Sequence, residues 1–243
     1  MFAAISVFIS FIVTSLYMLG LRTAANADVM YIVSKALCSA VFVTVGVIAF
    51  ARNKKHGKYG LLLLISIMCG MAGDVLLALS VTKGNAFFIS GLAMFFADAV
   101  LIVISLYQQD GFNWLEIVIA AVLSGLSAWL LLSNADLGAL TVPVLVYMAA
   151  IMLAAGKAVS VGVYKKLHGT AAVLLICGVL LWMLSDVALA LEMFIDVTKL
   201  FKAISPLIYL TGGNTALDYI NGFSYFIGQT MIATSIMYSK KES

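Results

Sequence analysis

Eight stretches of this sequence are apolar over the ~20 residues needed to cross the hydrocarbon of a bilayer. Their limits fall near 2–21, 30–51, 60–80, 86–107, 114–133, 141–163, 169–195 and 219–238. Spans on that scale leave no stretch for a soluble domain. Because a segment in lipid must satisfy its backbone polar groups internally, the expected fold is an all-α polytopic helix bundle, one eight-span transmembrane domain over 1–243. The composition agrees: 64% of residues are apolar and 10% charged, against about 25% charged in soluble domains. The run from Leu200 to Leu210 holds Pro206, is too short to cross, and is broken by Thr211-Gly212-Gly213-Asn214, so it reads as an interfacial or re-entrant piece. The first run lacks a basic start and a small-residue cleavage site and is read as a retained span.

Lysine and arginine positions orient such a bundle, since short cytoplasmic loops keep them. Arg52, Lys54, Lys55, Lys58, Lys165, Lys166, Lys240 and Lys241 fall on one side, and Arg22, Lys83, Lys199 and Lys202 on the other. Eight against four puts both termini in the cytoplasm, and the protein in the cytoplasmic membrane if its source is bacterial. Trp114, opening the fifth span, suits an interfacial anchor. The net charge of +3 is scattered over span ends, with no basic stripe of the kind nucleic acid requires.

Charges inside the spans carry the functional signal, because each is costly in hydrocarbon and needs a partner or a task. Gly70-Met71-Ala72-Gly73-Asp74 and Leu181-Trp182-Met183-Leu184-Ser185-Asp186 each set one carboxylate in an apolar run, and Lys35 and Lys157 lie in the spans just before them. This parallel placement hints at a repeat of four spans plus four. At about 1.5 Å of rise per residue, Lys35 and Asp74 lie roughly 8–9 Å, Asp186 and Gln229 roughly 14–15 Å and Asp98 roughly 18 Å from the non-cytoplasmic end of their spans. Those depths suit one polar cavity open to that side, with Asp98 near its floor and Glu192 near its mouth. Two carboxyls in such surroundings divide acid–base labour, one protonated and one ionised; the structural alternative is that each only locks the bundle through a lysine or backbone partner. Lys157 also lies close enough to the cytoplasmic end to snorkel its amine out.

Other chemistries find little support. Cys38, Cys69 and Cys177 have no metal-ligand spacing and read as small core residues. No Gly-x-Ser-x-Gly elbow occurs, and His56 and His168 fall in loops, which argues against a triad hydrolase and an intramembrane histidine-ligated metal. No metal or cofactor is expected. Glycines at 70, 73, 91, 178 and 228 flank the polar positions and fit close helix packing.

Taken in order, Lys35, Gly73-Asp74 with Leu76 and Leu77, Gly91 and Phe95, Pro143 and Tyr147, Gly178 and Ser185-Asp186, and Tyr225 with Gln229 form a pattern along nearly the whole chain. In it the sequence resembles the YhhN-like integral membrane family, which includes the lysoplasmalogenases. It departs at Ala36, where the family usually has proline after the lysine, and at Asp98, where a histidine is usual. The resemblance implies hydrolysis of the vinyl ether bond of a lysoplasmalogen to a fatty aldehyde and a glycerophospho-alcohol, with a lysophospholipid as substrate. Asp74 and Asp186 would then be the catalytic pair, by analogy with paired glycosidase carboxylates. Lys35, Asp98, Tyr147, Tyr225 and Gln229 would bind the substrate. Mid-depth charges also suit a proton-coupled carrier, and a scaffold without the usual histidine also suits a non-catalytic lipid-binding protein.

Overall fold

A computed structural model of the protein describes residues 1–23, 27–53, 57–164, 167, 169–195 and 216–239. These form helices α1 (Phe2–Thr23), α2 (Ala27–Arg52), α3 (Gly57–Lys83), α4 (Asn85–Asp110), α5 (Trp114–Asn134), α6 (Thr141–Val163), α7 (Gly169–Phe194) and α8 (Ala216–Tyr238), with a single 3-10 turn at Gly138–Leu140 before α6. Among the described residues, seven helices, α1 to α7, are long and apolar enough to cross a membrane. The eighth apolar run of the sequence coincides with α8, which has the length but carries Asp218, Asn221, Ser224, Gln229, Thr230, Thr234 and Ser235. Its position explains the difference. Residues 224 to 226, 228 to 230 and 232 to 236 of α8 are buried, because α1, α2, α3 and α7 pack around it. A helix shielded from lipid by its neighbours needs no apolar circumference.

Side-chain contacts fix which helix ends lie together. The Ala3 amide donates to Tyr238 OH, and Asn53 Nδ2 donates to the Ile236 and Ser239 carbonyls, so the start of α1 and the ends of α2 and α8 share one end of the bundle. At the other end Tyr17 packs near Tyr31, and Asn221 Nδ2 reaches the Ser185 carbonyl at 3.0 Å. We call the second the Lys83 end. The expected loop cations Lys54, Lys55, Lys165, Lys166, Lys199, Lys202, Lys240 and Lys241, both histidines, and the short Pro206 segment lie outside the described residues. Trp114 is 75% exposed and meets Phe112 edge-on at the start of α5.

Two pairs of glycines set helix spacing next to the polar residues. A Cβ on Gly178 of α7 would stand 2.8 Å from the Gly228 carbonyl of α8, and one on Gly228 would stand 2.7 Å from the Gly178 carbonyl. Gly73 and Gly91 do the same for α3 and α4, with a Gly91 Cβ 3.2 Å from the Gly73 carbonyl. Small residues let backbones touch, and the close packing they permit helps to drive helix association where lipid removes the hydrophobic drive. Gly178→Ala therefore forces backbone apart and is expected to cost about 1–3 kcal/mol, read as a thermal midpoint lowered by roughly 2–4 °C per kcal/mol in detergent.

Two sequence expectations fail here. Cys38 is buried as expected, but Cys69 is only half-buried and Cys177 is exposed on the outside of α7, because its helix angle faces away from α8. Lys157 neither snorkels nor pairs with Asp186. Fully buried, its amine lies 2.8 Å from Glu116 Oε2, donates to the Gly111 carbonyl at the end of α4, and sits 4.3 Å from the Tyr107 ring centroid. The lysine–aspartate pairing that hinted at a four-plus-four repeat thus holds in the first half alone.

Candidate functional site

Lys35 and Asp74 are brought together by the facing surfaces of α2 and α3. Lys35 Nζ lies 3.8 Å from Asp74 Oδ1. Ser39, one turn beyond Lys35 on the same face of α2, donates to Asp74 Oδ2 at 2.7 Å, and Tyr225 OH from α8 donates to the same oxygen at 2.8 Å. Tyr31, one turn before Lys35, takes a 3.5 Å hydrogen bond from the amine, which also lies 5.6 Å from its ring centroid. The carboxylate of Asp74, 1% exposed, therefore meets a cation on one oxygen and two hydroxyl donors on the other. These partners offset the cost of placing an acid in hydrocarbon and hold its orientation.

Asp186 enters from α7. Its Oδ2 accepts from Tyr147 OH of α6 at 2.5 Å, and it lines the same cavity as Asp74 and Lys35. Ser185 beside it is held by Asn221 Nδ2, 3.0 Å from its carbonyl and 3.1 Å from its hydroxyl. Phe95 of α4 stands between the two tyrosines, with centroids 6.2 Å from Tyr147 and 6.0 Å from Tyr225, the latter at 86°. Gly73 makes room for that ring, since a Cβ there would be 2.9 Å from Phe95 Cε1. The glycine before Asp74 thus positions the tyrosines that hold both acids.

Lys35, Asp74, Tyr147, Asp186 and Tyr225 line one cavity of about 220 Å³. Around the charged groups the wall is polar, with Tyr17 and Tyr31 added. Beyond Asp186 it turns apolar, running along Leu130, Leu131, Val144, Met148 and Ile151 of α5 and α6. Glu192 and Asp218 border it near the Lys83 end. Such a space has one end suited to a charged or hydroxylated group and another suited to hydrocarbon.

Asp98 and Gln229 are not among the residues that line it. Asp98 is fully buried; it accepts from Ser66 of α3 on Oδ1 and from Gln229 Nε2 at 3.0 Å on Oδ2. The expectation that Asp98 faces the cavity floor beside Asp74 is therefore corrected. Its direction around α4 points into the α3–α8 contact, where Gly70 leaves space. A Cβ on Gly70 would stand 2.9 Å from Asp98 Oδ2 and 3.5 Å from Tyr225 OH. Asp98 lies behind the Tyr225 hydroxyl that holds Asp74, one layer away from the cavity.

The model of the YhhN family matches residues 30–236. The chain belongs to the YhhN family. The match takes in α2 from Met30 onward through nearly all of α8, so every acid and hydroxyl of the site except Tyr17 falls inside it. No curated protein and no solved structure matches the chain. Helix α1 precedes the matched part, yet its Tyr17 and Met18 close one side of the cavity.

Several contributors escaped the sequence reading although a signal for some was present. Tyr31, Lys35 and Ser39 are spaced i, i+4, i+8 and so form one stripe of α2; Asn221, Tyr225 and Gln229 form the matching stripe of α8. Polar stripes of that period in apolar helices mark an inward face. Ser66, Tyr17 and Glu116 had no comparable signal, because each is defined by a partner on another helix.

Proposed function

We propose that this membrane protein hydrolyses the vinyl ether bond of a lysoplasmalogen, releasing a fatty aldehyde and a glycerophospho-alcohol. The observation that carries the reading is the pair Asp74 and Asp186 on one cavity that is polar at their end and apolar beyond it. Family membership supports it. Asp74, with a cation and two hydroxyl donors, has the partners of an ionised carboxylate, whereas Asp186, with the Tyr147 hydroxyl as its hydrogen-bond donor, is assigned the proton.

In the first step Asp186 gives its proton to the outer vinyl carbon, leaving an oxocarbenium-like cation that the Asp74 carboxylate stabilises. Water adds to the carbon next to oxygen, passing one proton to Asp74 and forming a hemiacetal. Asp74 then returns that proton to the glyceryl oxygen as the carbon–oxygen bond breaks. The hemiacetal hydroxyl gives its proton to Asp186, which restores both acids and leaves the aldehyde. Lys35, Tyr147 and Tyr225 hold the polar end of the lipid, while the apolar arm takes the chain. Asp98 and Gln229 act on this arrangement through Tyr225 rather than by touching the lipid. The test is aldehyde release from a purified, folded sample given lysoplasmalogen, with an acyl lysophospholipid as control; no release by folded protein overturns the reading and leaves a carrier or lipid-binding role.

The reading places the cavity on the non-cytoplasmic side, with both termini in the cytoplasm. Exposed positions at opposite ends of α3 check it. In intact cells an impermeant thiol reagent is expected to modify Thr82→Cys, and Lys58→Cys only after permeabilisation. The reverse pattern inverts the topology.

A further inference from the structure

A second hollow lies on the outside of the bundle between α4 and α6. It has a volume of about 200 Å³ and is bordered by Leu92, Ala93, Phe96, Pro143, Val146 and Tyr147, among others. Val146 is 50% and Phe96 38% exposed, so its outer side faces the surroundings of the bundle, which for helices of this composition is lipid. Leu92 and Tyr147 line this crevice and the inner cavity alike. The partition between lipid and the site of Asp186 is therefore one side chain thick at this point.

We propose that the crevice between α4 and α6 is the passage through which the hydrocarbon chain of the lipid moves between bilayer and cavity, with Leu92 and Tyr147 as its movable partition. The inference rests on the vinyl ether reading, and it names how that substrate reaches the acids. A lysolipid keeps its chain in the bilayer, whereas the bond to be cut must lie beside Asp74 and Asp186, and a route through the helix wall takes the chain there without leaving hydrocarbon. The crevice accepts only hydrocarbon. Its one polar side-chain group, the Tyr147 hydroxyl, already donates to Asp186, and a head group in it would have buried polar atoms without partners. Helix position agrees: Pro143 and Val146 lie within the first two turns of α6, and Leu92 and Ala93 about two turns into α4, both counted from the Lys83 end, where the cavity is also bordered by Glu192 and Asp218.

The experiment uses the full chain in lipid nanodiscs with an ether lysophospholipid that lacks the vinyl bond and carries a diazirine midway along its chain. After illumination, adducts are mapped by mass spectrometry. Adducts on Ala93, Phe96 and Val146 are expected to disappear with excess unlabelled lysophospholipid, while adducts on the lipid-facing Val122, Leu126 and Trp129 of α5 persist. Ala93→Trp, which fills the crevice from its exposed side, is expected to abolish the competed adducts. It is also expected to raise KM for a long-chain lysoplasmalogen by about tenfold, the low end of what an altered hydrophobic pocket costs, with a micelle-free short-chain substrate unaffected. Competed adducts in a protein that releases no aldehyde would keep the passage and overturn the vinyl ether reading. Aldehyde release with adducts that never compete, or with Ala93→Trp unchanged in KM, would keep that reading and overturn the passage.

Discussion

Asp74→Asn and Asp186→Asn are each expected to lower aldehyde release from lysoplasmalogen by about 10²- to 10⁴-fold, the usual worth of a positioned general acid or base. Each substitution keeps the size of the side chain and removes a proton site. In Asp74→Asn the new amide oxygen still accepts from Ser39 and Tyr225, and in Asp186→Asn it still accepts from Tyr147, so the cavity walls are expected to keep their shape. The double variant is expected to be little slower than the worse single one, because two groups of one catalytic unit do not contribute additively. The measurement is initial rate in detergent, with thermal midpoint beside it. Near-wild-type rates in both folded single variants would remove the acid–base pair from the mechanism. The two sites also differ in one respect. Loss of the Asp74 charge leaves Lys35 without its acidic partner 3.8 Å away, whereas Asp186→Asn leaves that ion pair intact. Stability is therefore expected to fall further in Asp74→Asn than in Asp186→Asn.

What the sequence made legible follows physical lines. Spans were readable because hydrocarbon demands long apolar runs, and the starts and ends of α1 to α7 lie close to them. Asp74 and Lys35 were readable because a charge there is costly, and the i, i+4 spacing of Tyr225 and Gln229 put both on one face, from which they reach the acids of α3 and α4. Direction around a helix was less readable than depth. Asp98 and Asp74 both sit in the buried interior, yet which one meets the cavity depends on how α3 crosses α4 at Gly73 and Gly91, a three-dimensional property. The pairing of Lys157 was hidden for the same reason. Glu116 opens α5 in a segment that reads as a plain span start, and its capping box with Asn113 turns its carboxylate inward.

That hidden pair gives the second large effect, expected in stability rather than in turnover. Lys157 and Glu116 are both fully buried, 2.8 Å apart, and Lys157 also caps the end of α4 through the Gly111 carbonyl. The backbone of α5 is pressed against α6 here, since a Cβ on Gly156 would stand 2.6 Å from the Glu116 carbonyl. Such close packing leaves little room for water to solvate a charge whose opposite number has been removed. Lys157→Met strands the buried Glu116 carboxylate, and Glu116→Gln takes one counter-charge from a buried ammonium, and breaking such a pair from one side commonly costs about 3–5 kcal/mol. Replacing both is less damaging, because the charge imbalance goes with the charges and an apolar side chain of similar volume packs as well in hydrocarbon. The double variant Glu116→Gln with Lys157→Met is therefore expected to unfold at a higher temperature than Lys157→Met alone. Its aldehyde release per folded molecule is expected to stay near the wild-type rate, since Lys157 lies roughly 12 Å from Asp186 along the bundle axis by helical rise. Thermal unfolding in detergent, with rate normalised to folded protein, reads both. If the double variant is no more stable than Lys157→Met, the pair is not the lock between α4, α5 and α6; if turnover collapses in a folded double variant, the lower cluster belongs to the catalytic machinery after all.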